Sequence, residues 1–180
     1  MRPDILIIAG SFGSHYDMAE IIKKLPEDFP VPILLLRHVP CNVSEQYWTA
    51  MENHTGRKIT DISRVNELSD GHVFKAIPFN NYSLLKNNGS LTPFIVSRKS
   101  HFNPSLDILL ESLDKDIIPM LIVMSGLEGD GVKGCAKIAK RARIYAPKDA
   151  EGMASAILPI FGVVPCDKKD LIKEIIANFY

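Results

Sequence analysis

The chain has 180 residues, of which 46% are hydrophobic and 23% are charged, so it can bury a full core and is most simply one domain. Lysine plus arginine equals aspartate plus glutamate at 21 each, which excludes a global field that recruits nucleic acid or anionic lipid. Three cysteines, far apart in sequence, argue against a disulfide framework or a zinc pair and favour a reducing compartment. The N-terminal apolar stretch is too short for a signal peptide or a membrane span, so we expect a cytoplasmic protein without membrane insertion.

Strand-like and helix-like patterns alternate along the chain. Short apolar runs predict buried strands, and apolar residues spaced by three and four predict amphipathic helices. The predicted strands cover 5–9, 33–36, 58–62, 71–77, 120–124, 144–146 and 163–164. The predicted helices cover 18–25, 43–53, 106–113, 132–142, 152–161 and 168–178. Asn88-Gly89 favours a hairpin between 82–85 and 91–95, which would make the sheet mixed. The pattern predicts a single-domain α/β fold, with a doubly wound, mainly parallel sheet flanked by helices and an antiparallel hairpin.

Ser11 is the first candidate functional residue, because it lies in a tight turn between the first strand and the first helix. Gly10 and Gly13 allow the backbone to turn sharply and to approach a bound group closely. On this turn alone, phosphate or nucleotide binding is favoured over covalent catalysis. Neither the G-x-G-x-x-G nor the G-x-x-x-x-G-K-[ST] spacing is present, however.

Two further candidates follow other predicted strands. His38 comes after the second strand, and Asp130 lies in a glycine-rich loop after the strand over 120–124. The carboxyl ends of parallel strands meet at one edge of a sheet, so we expect Ser11, His38 and Asp130 to lie together. A serine, an imidazole and a carboxylate are the parts of a nucleophile, its base and the group that orients the base.

Each candidate also has a simpler interpretation. His38 fits a structural, hydrogen-bonded histidine, and Asp130 fits a cap of the helix that begins at Val132. Glu128 is a rival carboxylate in the same loop, and Cys41 is a rival nucleophile close to His38. The remaining histidines show no metal-ligand spacing, and we predict no metal site; they are His15, His54, His72 and His101.

Five segments form a joint pattern: AGSFGS at 9–14, LPEDFPVP at 25–32, RHVP at 37–40, NPSLD at 103–107 and SGLEGDG at 125–131. In order and spacing they resemble G-A-S-T-G-G, L-P-x-D-F-P-x-P, Q-H-M-P, R-P-S-V-D and T-G-M-G-x-D-G of the chemotaxis protein-glutamate methylesterases, the CheB family. The resemblance covers nearly the whole chain and only the catalytic domain of that family. We therefore expect residues 1–180 to form a methylesterase-like catalytic domain without a receiver domain.

The resemblance implies hydrolysis of methyl esters on glutamate side chains of chemoreceptors, with release of methanol and often with deamidation of receptor glutamines. The family's serine, histidine and aspartate fall on Ser11, His38 and Asp130. Its oxyanion-binding residues fall on Phe12 and Leu127, and no cofactor is implied. A methylated chemoreceptor or a similar protein is the implied partner.

The chain departs from the family's pattern around the same site. Phe12 stands where the family has threonine, Arg37 where it has glutamine, Leu127 where it has methionine and Asn103 where it has arginine. Two other functions therefore stay open. One is a catalytically weak relative that binds a protein partner, and the other is a phosphate- or nucleotide-binding protein that uses the glycine-rich turn.

Overall fold

Strands and helices alternate through residues 2–126 and 129–180, the part of the chain that the computed structural model describes. The strands are β1 (Ile5–Gly10), β2 (Ile33–Arg37), β3 (Ile59–Asp61), β4 (Val73–Ala76), β5 (Asn81–Asn87), β6 (Ser90–Val96), β7 (Pro119–Val123), β8 (Arg143–Pro147) and β9 (Val163–Cys166). The helices are α1 (His15–Lys24), α2 (Ser44–Thr55), α3 (Leu106–Ser112), α4 (Val132–Ile138), α5 (Met153–Ile157) and α6 (Leu171–Phe179). No helix in these ranges has the length and apolar character needed to cross a membrane.

The central sheet is parallel, with its strands in the order β3-β4-β2-β1-β7-β8-β9. β1 pairs with β2 on one side and with β7 on the other, so the chain builds the sheet outwards in both directions from β1. A crevice forms beyond the carboxyl ends of the strands at such a reversal of strand order. The predicted doubly wound, mainly parallel sheet is confirmed.

The hairpin formed by β5 and β6 is a separate two-stranded sheet. Its turn residues Asn88 and Gly89 have φ angles of 50° and 88°, as expected for an Asn-Gly hairpin turn. The expectation that this hairpin makes the central sheet mixed is wrong. β5 packs against α3, and Leu84 and Leu91 enter the core on that side instead of extending the edge of the central sheet.

Both faces of the central sheet are buried beneath apolar side chains. Along β1, Ile5 and Ile7 join the core covered by α3, α4 and α5, whereas Leu6 and Ile8 join the core covered by α1, α2 and α6. Successive side chains of a strand point to opposite faces, so a strand buried on both faces needs an apolar residue at every position. This requirement explains the continuous apolar runs in β1, β2 and β7.

Two helices end earlier than the apolar spacing predicts. α4 ends at Ile138 and α5 at Ile157, because the next residues make tighter turns: the Arg141 amide donates to the Ile138 carbonyl, and the Ile160 amide to the Ile157 carbonyl. The last helix begins at Leu171, after a 3-10 turn over Lys168–Asp170.

Gly152 offers a test of backbone packing, because its φ is 65° and an added Cβ would lie 1.5 Å from the Gly126 carbonyl oxygen. We expect Gly152→Ala to lower the free energy of unfolding by at least about 3 kcal/mol, since strain and overlap with backbone add together. Gly56→Ala is the control: Gly56 has a similar φ of 68° but open space around it, so only about 1–2 kcal/mol should be lost. Urea denaturation measures both, and equal losses would contradict the packing argument.

Candidate active site

Ser11 is held in its turn by backbone contacts on two sides. Ser11 directly follows β1 and is only 3% exposed. Its amide donates to the Ser125 carbonyl at 2.9 Å, which ties the turn to the loop after β7. Its carbonyl accepts the Ser14 hydroxyl at 2.8 Å, which ties the turn to the start of α1. The position of Ser11 is therefore fixed by the sheet and by the first helix together.

The backbone of Gly126 forms the wall of the site beside Ser11. A Cβ added at Gly126 would lie 2.8 Å from the Ser11 Cβ and 2.8 Å from the Met153 Sδ, so no side chain fits there. The Gly126 amide donates to the Glu151 carbonyl at 3.3 Å, and its carbonyl accepts the Met153 amide at 3.1 Å. The N–H group of Gly126 is thus already used within the protein.

His38 follows β2 and reaches the site from the neighbouring strand. Its Nε2 lies 2.8 Å from the Asp130 Oδ2, and its ring stacks on Phe102 with centroids 5.0 Å apart. The His38 amide donates to the Gly10 carbonyl at 3.3 Å, which fixes its backbone to β1. His38 Nδ1 is buried and has no hydrogen-bond partner among the described residues. Nδ1 is therefore the ring nitrogen left for a reacting group.

Asp130 is 1% exposed, and its carboxylate accepts four hydrogen bonds. Oδ2 accepts from His38 Nε2 and from the Leu106 amide at 2.7 Å, and Oδ1 accepts from the Ser105 hydroxyl and the Asp107 amide, both at 2.9 Å. Burial on its own would raise the pKa of Asp130, but the bonds from His38, the two amides and Ser105 outweigh it and hold the pKa below its ordinary value. The group is therefore a carboxylate at neutral pH.

The helix that Asp130 caps is α3 and not α4. The interpretation of Asp130 as the cap of the helix beginning at Val132 is wrong, because its acceptor contacts go to the first turn of α3. α4 follows Gly131 without a side-chain cap, and the carboxylate that meets it belongs to Asp107, which accepts the Gly134 amide at 2.7 Å. Burial and the nearby Asp130 raise the pKa of Asp107, against the hydrogen bond from Gly134.

Two residues that position this carboxylate were missed from sequence. Asn81 is 4% exposed; its Nδ2 donates to the Asn103 Oδ1 at 2.9 Å, and its Oδ1 accepts the Ser105 amide at 2.8 Å. Ser105 also accepts the Ile108 amide, as an N-cap does. A serine before an apolar helical pattern is a recognisable signal for Ser105, whereas the partners of Asn81 are 17 to 24 residues away and give no local signal.

Ser11 and His38 line one cavity of about 480 Å³. The rest of its wall comes from Phe12, Arg37 and the segments 39–40 and 101–103. No hydrogen bond of 3.5 Å or less joins the Ser11 hydroxyl to His38 in the described part of the chain. The cavity therefore brings the serine and the imidazole to a common space, while the bond between His38 and Asp130 is already formed.

Of the other predicted site residues, those that the structure describes lie at different places relative to this cavity. Phe12 is 86% exposed at the rim of the cavity, and its amide makes no hydrogen bond with any residue in the described ranges. Leu127 and the rival carboxylate Glu128 lie outside the described residues. Cys41 is exposed and lines a neighbouring groove instead of this cavity.

Within residues 2–126 and 129–180, no group of three His, Cys, Asp or Glu side chains could hold a metal ion.

A protein of known structure has the same fold. The crystal structure of the Thermotoga maritima CheB methylesterase catalytic domain superposes with a TM-score of 0.85, at 20% sequence identity, over 98% of this chain and 99% of that one. A relative in Leptospira interrogans is 26% identical over 88% of this chain and 83% of its own length.

A second relative has a longer chain. The protein-glutamate methylesterase/protein-glutamine glutaminase 1 of Carboxydothermus hydrogenoformans is 28% identical over 88% of this chain, which spans 50% of that relative's length. Residues 6–159 match the family model described as CheB methylesterase. With most of its length matched in this way, the chain belongs to the CheB methylesterase family.

Proposed function

We propose that this protein hydrolyses methyl esters of glutamate side chains on protein substrates and releases methanol, with Ser11 as nucleophile and His38 as general base. One observation carries the proposal. The buried carboxylate of Asp130 is bonded to His38 Nε2, which leaves Nδ1 without a partner among the described residues, and His38 lines the same cavity as Ser11. These contacts support the roles of a nucleophile, its base and an orienting group.

The reaction divides into acylation and deacylation. The Ser11 Oγ attacks the ester carbonyl carbon while its proton passes to His38 Nδ1, and the tetrahedral intermediate then collapses as Nδ1–H gives the proton to the leaving methoxide oxygen. Methanol departs and the glutamyl group stays esterified to Ser11. Water, deprotonated by the same nitrogen, hydrolyses this ester and restores the serine. A glutamine side chain would follow the same path with ammonia as the leaving group.

The oxyanion needs donors beside the serine. We assign this role to the backbone N–H group of Phe12 and, as the counterpart of the family's second oxyanion-binding residue, to that of Leu127, which lies outside the described residues. The Phe12 amide makes no hydrogen bond with a described residue and directly follows the nucleophile, and both observations support its half of the assignment.

Asp130 acts through His38. As a carboxylate of lowered pKa it accepts a hydrogen bond from Nε2–H, which keeps Nδ1 as the acceptor, and it stabilises the imidazolium that forms when Nδ1 takes the serine proton. The same carboxylate holds the first turn of α3. Its removal therefore affects both turnover and folding.

The substrate is proposed from the relatives, whose names describe protein-glutamate methylesterases. A methylated chemoreceptor or a similar methylated protein is the partner that fits this name. The cytoplasmic location that the sequence favours is part of the same proposal. An open cavity with the exposed Phe12 at its rim agrees with a side chain presented by a protein surface.

We expect Ser11→Ala to reduce methanol release from methylated receptor fragments at least about a thousandfold, because no neighbouring group replaces the nucleophile. Ser69→Ala, an exposed serine before β4, is the matched control and should behave like the wild type. Equal release by the Ser11→Ala variant and the wild type would contradict the proposal. A protein that binds nucleotides instead would release no methanol and would gain thermal stability when a nucleotide is added.

Asp130→Asn should lower turnover by roughly a thousandfold or more and also cost about 2 kcal/mol or more of unfolding free energy at pH 7. The folded pKa of Asp130 is lowered, so its contribution to stability is complete above the pKa of an unfolded aspartate, about 3.9, and is lost as the pH falls towards the folded value. The stability difference between wild type and variant should therefore shrink below about pH 4. Urea denaturation from pH 7 to pH 3 measures it, and a difference independent of pH would refute the assignment.

A further inference from the structure

Arg37 places a positive charge in the wall of the cavity beside Ser11. It is the last residue of β2, and its Nη1 donates to the Ser11 carbonyl and, at 2.7 Å, to the Ser14 hydroxyl. The guanidinium lies over the Tyr47 ring at 4.6 Å from the ring centroid. No carboxylate oxygen in the described part of the chain lies within 4.0 Å of it. Among the described residues, the groups that contact this charge are therefore neutral.

Much of the hydrogen-bonding capacity of Arg37 is unused. A guanidinium has five N–H donors, and the two on Nη1 account for the contacts with Ser11 and Ser14. Nε is buried without a partner, and Nη2 makes no hydrogen bond with a described residue. Burial lowers the pKa of Arg37, which reflects the cost of holding an uncompensated cation there. An anionic ligand would relieve that cost.

No charge on the described wall of the cavity opposes Arg37. Its described wall contains serine, aromatic, histidine, asparagine and apolar residues, and Arg37 is the only lysine, arginine, aspartate or glutamate among them. The Asp130 carboxylate, which is hydrogen-bonded to His38, is 1% exposed and does not line the cavity. Among the described residues, a ligand in the cavity therefore meets a cation without a counter-ion, which selects for negative charge.

The hydrogen bonds of Arg37 do not by themselves account for its guanidinium. The contacts to the Ser11 carbonyl and the Ser14 hydroxyl need only two N–H donors on one nitrogen, which a neutral side-chain amide also offers. The formal charge, which lies over the Tyr47 ring, and the donors on Nη2 exceed this requirement. Charge and Nη2 donors can both act on a carboxylate.

We propose that Arg37 forms a carboxylate subsite beside Ser11, so that the protein prefers methyl-ester substrates that carry a free carboxylate near the ester. The reaction in this statement rests on the proposed function, whereas the binding preference does not. The reacting ester is neutral, so the charge acts on a neighbouring acidic side chain of the substrate and not on the group that reacts. The substrate class is an acidic polypeptide segment.

Matched peptides test the subsite. Each peptide carries one glutamate methyl ester and either Glu or Gln at one of the four positions on either side, and methanol release gives kcat/KM. We expect the wild type to favour Glu about tenfold at one position or more, which corresponds to about 1.4 kcal/mol. In Arg37→Gln the ratio should fall to about one, and Arg37→Lys should retain part of it. Lys23→Gln, which removes an exposed charge outside the cavity, should leave the ratio unchanged.

The ratio compares two substrates on one variant, so a general loss of activity cancels. A ratio near one at every position in the wild type, or an unchanged ratio in Arg37→Gln, would overturn the subsite while leaving the esterase reaction in place. Calorimetry on Ser11→Ala measures the dissociation constants of the same peptides without turnover. A preference for the acidic peptide there, with no methanol release by the wild type, would keep the subsite and reject the reaction. Absence of both would reject both.

Discussion

The buried carboxylate of Asp130 is the constraint on which the site depends. Its four donors come from the end of β2 and from the first turn of α3, segments that are 92 and 23 to 25 residues away in sequence. A hydrogen bond to a charged group contributes about 1.5–3 kcal/mol, so four of them together offset the cost of removing a carboxylate from water. The same contacts orient His38 and begin α3. The orientation of His38 and the start of α3 therefore depend on one group.

The order of the strands in the sheet explains how residues far apart in sequence come together at the site. β2, β1 and β7 are neighbours in the sheet, and each of the loops that follow them supplies one member of the site: His38, Ser11 and Asp130. The backbone bridge between Gly126 and Gly152 extends the parallel pairing beyond the end of β7. Because Gly126 also lies against Ser11, this backbone pairing positions the start of the loop after β7 beside the serine.

The sequence was sufficient for the architecture because β1, β2 and β7 are buried on both faces and show as apolar runs. It also placed Ser11, His38 and Asp130 at one edge, since that placement follows from topology. The sequence-based prediction was wrong where contacts between distant segments determine how an element packs. The hairpin packs on α3 instead of joining the sheet, and the carboxylate of Asp130 reaches across to α3 instead of capping the next helix. Asn81 is recognisable only once its distant partners are in place.

The two functional side chains at the end of β2 lie on opposite faces of the sheet, which is a direct result of strand geometry. Leu35 belongs to the core beneath α1, α2 and α6, and Leu36 to the core beneath α3, α4 and α5. Continuing this alternation, Arg37 meets Tyr47 of α2, and His38 meets the carboxylate at the start of α3. Ser11 is thus approached by a guanidinium from one face and by an imidazole from the other. A slip of β2 by one residue would exchange the two, so the burial pattern of this strand determines the chemistry at its end.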